Sequence, residues 1–91
     1  MDETRLKRLR YRAWRRGFRE ADLILGSFAD THAQDLTLAQ LETFETLLEQ
    51  PDPDLYAWIV GPLQAPDEFE TDVLSMIRAF RLDPGVASGG A

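Results

Sequence analysis

The chain has 91 residues, 44% hydrophobic and 29% charged, which is enough apolar material for one small core and too little length for two. It has no cysteine and one histidine, His32, which excludes disulfides, thiolate nucleophiles, thiolate-zinc sites and iron–sulfur clusters together. The net charge of −6 is unevenly spread: residues 1–19 carry eight basic side chains against Asp2 and Glu3, and residues 20–77 carry thirteen acidic ones and no basic one. A basic head on an acidic body marks an interaction surface.

Apolar residues recur at spacings of three and four throughout, so five helices are expected. The first covers about Glu3 to Arg15, with Leu6, Leu9 and Ala13 on one side. Arg5, Arg8, Arg12 and Arg15 fall within an arc of roughly 100° beside it, an arginine stripe along an apolar one. Tyr11 and Trp14 occupy a further side. Gly17 interrupts the pattern, being suited to a turn or a close contact.

The second helix is expected over about Phe18 to Thr31, burying Ala21, Ile24, Leu25 and Phe28. Gly26 costs its middle about 1 kcal/mol relative to alanine, which suggests that another helix approaches there. His32 to Asp35 form a connection, and His32 reads as a solvent-exposed loop residue. Thr37 and Gln40 are spaced as a capping box, with Leu36 and Leu41 in the staple positions. The third helix then buries Leu41, Phe44, Leu47 and Leu48 and turns Glu42, Glu45 and Glu49 to water.

Asp52-Pro53-Asp54 opens the fourth helix as N-cap acid, first-position proline and dipole-favoured acid. Leu55, Trp58 and Ile59 point inward, and Gly61-Pro62 ends it. Pro66 starts the fifth helix, where Phe69, Val73, Met76, Ile77 and Phe80 keep helical spacing. The expected fold is an all-α, single-domain five-helix bundle with short loops over residues 1–82, followed by a disordered tail at 83–91.

No nucleotide fingerprint, phosphate loop, metalloprotease motif or nucleophile elbow is present. The acid pairs Asp52/Asp54 and Asp67/Glu68 sit at expected helix starts, where carboxylates cap and complement the dipole. Neither a catalytic residue nor a metal ligand is therefore assigned. The basic head admits three readings: a nucleic-acid-binding helix, a charge-compensated face of the bundle, or a docking surface for an acidic protein.

Arg15-Arg16-Gly17-Phe18-Arg19-Glu20-Ala21-Asp22 concentrates three arginines, a glycine and two acids in eight residues. Arg16 and Glu20 form an i,i+4 pair if both are helical. Alternatively, Gly17 clears space for a partner's backbone while Arg16 and Arg19 present planar forks to carboxylates or carbonyls.

Arg16-Gly17-x-x-Glu20 resembles the R-G-x-x-E motif of the succinate dehydrogenase assembly and flavinylation factors, the SdhE family. Leu47-Leu48-Glu49 followed by Asp52-Pro53-Asp54-Leu55-Tyr56-x-Trp58 is similar to that family's second motif. The resemblance covers about residues 3–81. It implies a compact five-helix fold and a non-enzymatic, chaperone-like factor that binds the flavoprotein subunit of succinate dehydrogenase, or of fumarate reductase. Such a factor promotes covalent attachment of FAD to its partner and has no cofactor of its own. Partner binding carries over to Arg16, Gly17 and Glu20, with Arg15, Arg19 and Asp22 beside them. Asp52, Tyr56 and Trp58 match the second motif and also suit cap and core roles.

The expected protein is a monomer that neither enters a membrane nor binds nucleic acid, the alternative being a small nucleic-acid-binding regulator that uses the arginine-rich helix. No apolar run approaches the ~20 residues of a membrane helix. The charged first residues lack the apolar region of a secretory signal, and the arginine-rich start, with Asp2 and Glu3 before it, reads as mature protein rather than a presequence. A bacterial cytoplasm is the expected location.

Overall fold

The helical spacing is realised as five α-helices in a computed structural model that describes residues 3–15, 17–61 and 64–81. In chain order they are α1 (Glu3–Trp14), α2 (Arg19–His32), α3 (Leu38–Leu48), α4 (Asp52–Val60) and α5 (Asp72–Arg81). A 3-10 turn at Ala33–Asp35 leads into α3, and another at Asp67–Phe69 precedes α5. The described residues contain no strand, as an all-α fold requires. Pro62 and the tail expected at 83–91 lie outside the described residues.

The inward faces form one core. Leu9 and Ala13 of α1 meet Leu25, Phe28 and Ala29 of α2, Leu41, Phe44 and Leu47 of α3, Leu55 and Ile59 of α4, and Val73, Leu74 and Ile77 of α5. Phe28 is fully buried and meets Phe44 and Phe80 edge-on, with ring centroids 5.4 and 5.5 Å away. No polar or charged residue is buried as a whole among those described; one buried polar atom, Arg10 Nε, is without a hydrogen-bond partner, and it lies at 4.0 Å from Asp30. α1 packs along α2, and α5 touches α2, α3 and α4.

The capping box forms as its spacing predicts. Thr37 Oγ1 accepts from the Gln40 N–H at 3.1 Å, and Gln40 Oε1 accepts from the Thr37 N–H at 3.0 Å. Leu36 and Leu41 are both buried at the staple positions. The Gln40 amide also donates to Asp72 Oδ2 at 2.9 Å, tying the start of α3 to the start of α5. Gly26 has the expected neighbour: the indole of Trp14 lies across it, leaving no room for a Cβ.

Five boundary and burial expectations change. Phe18 is extended (φ −123°, ψ 102°) and stands before α2 rather than in it. Pro51, not Asp52, precedes α4, so Asp52 is the first helical residue and complements the dipole without capping. Pro66 opens a 3-10 turn rather than the fifth helix.

The chain leaves that turn at Glu70, whose carboxylate accepts from the Ala65 N–H at 2.7 Å and from both terminal nitrogens of Arg78. With Glu70 held there, Thr71 precedes α5 and its Oγ1 accepts from the Leu74 N–H at 3.3 Å. Phe69 thereby leaves the α5 stripe and stacks on Trp58, with centroids 5.0 Å apart. His32 is not an exposed loop residue. It ends α2, half-buried, with its ring 5.2 Å from that of Phe28 and 5.4 Å from that of Phe80.

A candidate partner-binding surface

The turn between α1 and α2 is built by one backbone conformation. Gly17 has φ +86°, the left-handed region that only glycine enters cheaply, and no other described residue combines a side chain with positive φ. A Cβ at Gly17 would meet nothing within 4 Å. The turn itself therefore requires the glycine, and the space beside it leaves the expected close approach of a partner unobstructed. α2 begins at Arg19; Arg16, and with it the expected Arg16–Glu20 pair, lies outside the described residues.

Around this turn, Arg15, Gly17, Arg19 and Glu20 are exposed, and Asp22 is half-buried in the first turn of α2. The Asp22 N–H donates to the Phe18 carbonyl at 2.8 Å, closing that first turn. Phe18 faces across the molecule: its ring lies 4.6 Å from that of Tyr56 on α4, tilted by 43°. This contact joins the two sequence motifs, which stand far apart along the chain, at a single place.

A concavity of about 400 Å³ opens beside it, lined by Tyr11, Arg12 and Arg15 from the end of α1 and by Gln50, Pro51 and Asp52 from the α3–α4 junction. Asp52 thus belongs to the same surface as the arginines. The guanidinium carbon of Arg15 sits 5.0 Å above the Tyr11 ring centroid, within the range of a cation–aromatic attraction. Tyr56 contributes through Phe18. Trp58 is engaged elsewhere, stacked on Phe69 and with its carbonyl accepting from Arg78 Nε at 2.8 Å.

The arginine stripe divides between two of its possible roles. Arg5 reaches α3 and grips Glu45 with two hydrogen bonds, of 3.0 and 2.6 Å. The Arg5 hydrogen bonds hold the Glu45 carboxyl below its ordinary pKa, and the positive charges of Arg12 and Arg8 add to the effect. Glu45 is therefore not simply solvated as its helix position suggested. Outside the stripe, Arg10 approaches Asp30 at 4.0 Å, and the same carboxylate accepts from Trp14 Nε1 at 3.1 Å. Part of the stripe thus binds the bundle together. Arg12 and Arg15 instead line the concavity and have no ion pair among the described residues.

Tyr11, Arg12 and Gln50 were missed as site residues by the sequence reading. The Tyr11-x-x-x-Arg15 spacing is the legible signal for Tyr11, since residues four apart meet on a helix, and Arg12 stands in the arginine stripe; Gln50 has no such signal. The described residues contain no cluster of three metal-ligating side chains and no helix long and apolar enough to cross a membrane.

Comparison with known proteins points the same way. The family model described as flavinator of succinate dehydrogenase matches residues 7–81. The chain is 37% identical over 87 residues to the FAD assembly factor SdhE of Acetobacter pasteurianus, covering 96% of this chain and 77% of that protein. It is 38% identical over 78 residues to the FAD assembly factor SdhE of Legionella pneumophila, covering 86% and 96%. It is 46% identical over 72 residues to the mitochondrial succinate dehydrogenase assembly factor 2 of Dictyostelium discoideum, covering 79% of this chain and 51% of that protein. The chain therefore spans about half the length of the Dictyostelium relative. A nucleic-acid regulator finds no support in these matches, and the family match together with the all-helical fold places the chain in the family of flavinators of succinate dehydrogenase.

Proposed function

We propose that this protein is an assembly factor that binds the flavoprotein subunit of succinate dehydrogenase and promotes covalent attachment of FAD to it. The observation that carries this reading is the meeting of the two family-like segments at one surface, through Phe18 and Tyr56. Surface exposure of Arg15, Gly17, Arg19 and Glu20 supports their assignment to partner binding, with Asp22 at the margin and Arg16 adjoining in sequence.

Flavinylation joins a histidine nitrogen of the flavoprotein to the methyl carbon of the flavin ring. The methyl C–H and the imidazole N–H give up their protons, the N–C bond forms, and the electron pair passes into the isoalloxazine, on which negative charge develops. The ring is left as the reduced flavin, to be reoxidised by an external electron acceptor. The partner supplies both reacting groups, so the factor needs neither a catalytic residue nor a cofactor of its own. Its contribution is positional: it binds an immature conformer in which the histidine and the flavin are held in reactive geometry. Alignment of this kind is worth several kcal/mol of barrier, of roughly 7–11 kcal/mol attainable in the most favourable cases. The factor acts as a monomer in a bacterial cytoplasm, and the fumarate reductase flavoprotein is a second client of the same chemistry.

The test combines the apo flavoprotein subunit from the same source with FAD, alone, with this protein, and with its Glu20→Ala variant. Covalent flavin is read as in-gel fluorescence after denaturation. Faster incorporation with the unmodified protein alone is expected. Equal rates in all three, with no complex formed, overturn the reading.

A further inference from the structure

The concavity at the end of α1 has a chemistry of its own. Two guanidinium groups, Arg12 and Arg15, face a single carboxylate, Asp52, on its walls. The nearby acid on α3, Glu45, is already committed to Arg5. The Arg15 guanidinium carbon lies 5.0 Å over the Tyr11 ring centroid, a cation–aromatic contact that uses none of the guanidinium's five N–H donors. Tyr11 itself is 62% exposed. Exposed tyrosine and arginine are the side chains that most often anchor protein interfaces. A volume of about 400 Å³ suits one or two inserted side chains and is far too small for a helix, whose diameter is about 10–12 Å.

We propose that this concavity receives one aspartate or glutamate side chain of the partner flavoprotein, held by Arg12 and Arg15 and seated against Tyr11. The proposal rests on the assembly-factor reading and adds to it the chemistry of an anchor. Charge distribution argues for an acidic guest. The body of the protein, residues 20–77, carries thirteen acidic side chains and no basic one, so an approaching carboxylate is repelled from most of the surface and attracted to this end of α1. Repulsion elsewhere combined with a fork-shaped receptor at one place fixes the orientation of docking as well as its strength. Carboxylate recognition by two guanidinium groups is geometrically specific because the hydrogen bonds can form in parallel pairs.

The experiment measures the affinity of the apo flavoprotein subunit for the unmodified protein and for Arg12→Gln, Arg15→Gln and the double variant, with circular dichroism establishing that each is folded. About tenfold weaker binding is expected for each single variant, and weaker still for the double. Arg12→Glu and Arg15→Glu are then combined with lysine substitutions at the acidic surface residues of the flavoprotein, one of which is expected to restore binding. A random 20-base-pair duplex serves as the competing polyanion.

If the unmodified protein binds the flavoprotein and the double glutamine variant binds it equally well, the anchor is wrong and the assembly-factor reading stands. The same conclusion follows if no lysine substitution restores binding. If the duplex binds more tightly than the flavoprotein and is lost with the same arginines, these groups recognise phosphate. If the unmodified protein does not bind the flavoprotein at all, both readings fall.

Discussion

The indole of Trp14 occupies the space that a side chain at Gly26 would fill, so that α1 and α2 meet where α2 has no side chain. The tryptophan is held there by its Nε1 donating to Asp30 at 3.1 Å, one turn further along α2. Gly26→Ala forces the ring aside. Alanine gains about 1 kcal/mol in helix propensity, while displacing a packed ring costs about 1–3 kcal/mol; a net loss of about 1 kcal/mol is expected. In a Trp58→Phe background, leaving Trp14 as the sole tryptophan, chemical denaturation with fluorescence detection reports both the loss and the ring's new environment.

Acid sensitivity is expected from Glu70. Its carboxyl is lowered from 4.5 to about 2, first by the hydrogen bonds from Arg78 and then by the Ala65 N–H. A depressed folded-state value means that the unfolded chain takes up the proton first. The stabilisation is therefore complete above about pH 4.5 and is lost as pH falls toward 2. Glu45, also lowered, acts in the same direction. Glu70→Gln is expected to flatten this part of the stability–pH curve, measured by urea denaturation between pH 2 and 6. An unchanged curve would contradict the assignment.

The Arg5–Glu45 pair is two-thirds or more shielded at both side chains yet remains open to counterions. Arg5→Ala is expected to cost about 0.5–1 kcal/mol at low salt, the upper part of the range for exposed pairs. At 1 M salt, where the screening length falls to about 3 Å, the difference between variant and parent should narrow. Urea midpoints at the two ionic strengths test this.

Most of the fold is legible in the sequence because local signals agree with the tertiary packing. The capping box at Thr37 and Gln40, the staple at Leu36 and Leu41, and the spacing of Leu41, Phe44, Leu47 and Leu48 all specify the same helix. The break before α5 escapes such reading because a long-range interaction imposes it: Arg78 draws Glu70 and the carbonyl of Trp58 to one guanidinium. Nothing around Pro66 in sequence announces that contact. His32 is similar, since its ring neighbour Phe80 comes from a distant helix.

The site divides in the same way. Gly17 and its charged neighbours stand out as a local motif, whereas the concavity unites α1 with the α3–α4 junction and becomes visible only when the bundle closes. Helical spacing registers Tyr11 and Arg15 as neighbours but is silent about Gln50, Pro51 and Asp52.

Gly17→Ala should destabilise the protein by about 1–2 kcal/mol, through backbone strain at φ +86° and with no steric clash. A thermal denaturation series comparing alanine with asparagine, which tolerates this conformation better, checks the cause. Asparagine should recover part of the loss. Equal losses for the two would point to a contact in place of strain.

That single positive φ also makes the turn the one described point where a side chain of the opposite hand would be at rest. D-alanine at position 17, introduced by chemical synthesis, satisfies the backbone that L-alanine strains. By restricting the unfolded chain it should stabilise the fold by about 0.4–1 kcal/mol. It also places a methyl group on the surface assigned to the partner. A mirror-image residue thus separates two demands that glycine meets together: a left-handed bend inside the factor and an unobstructed approach from outside it.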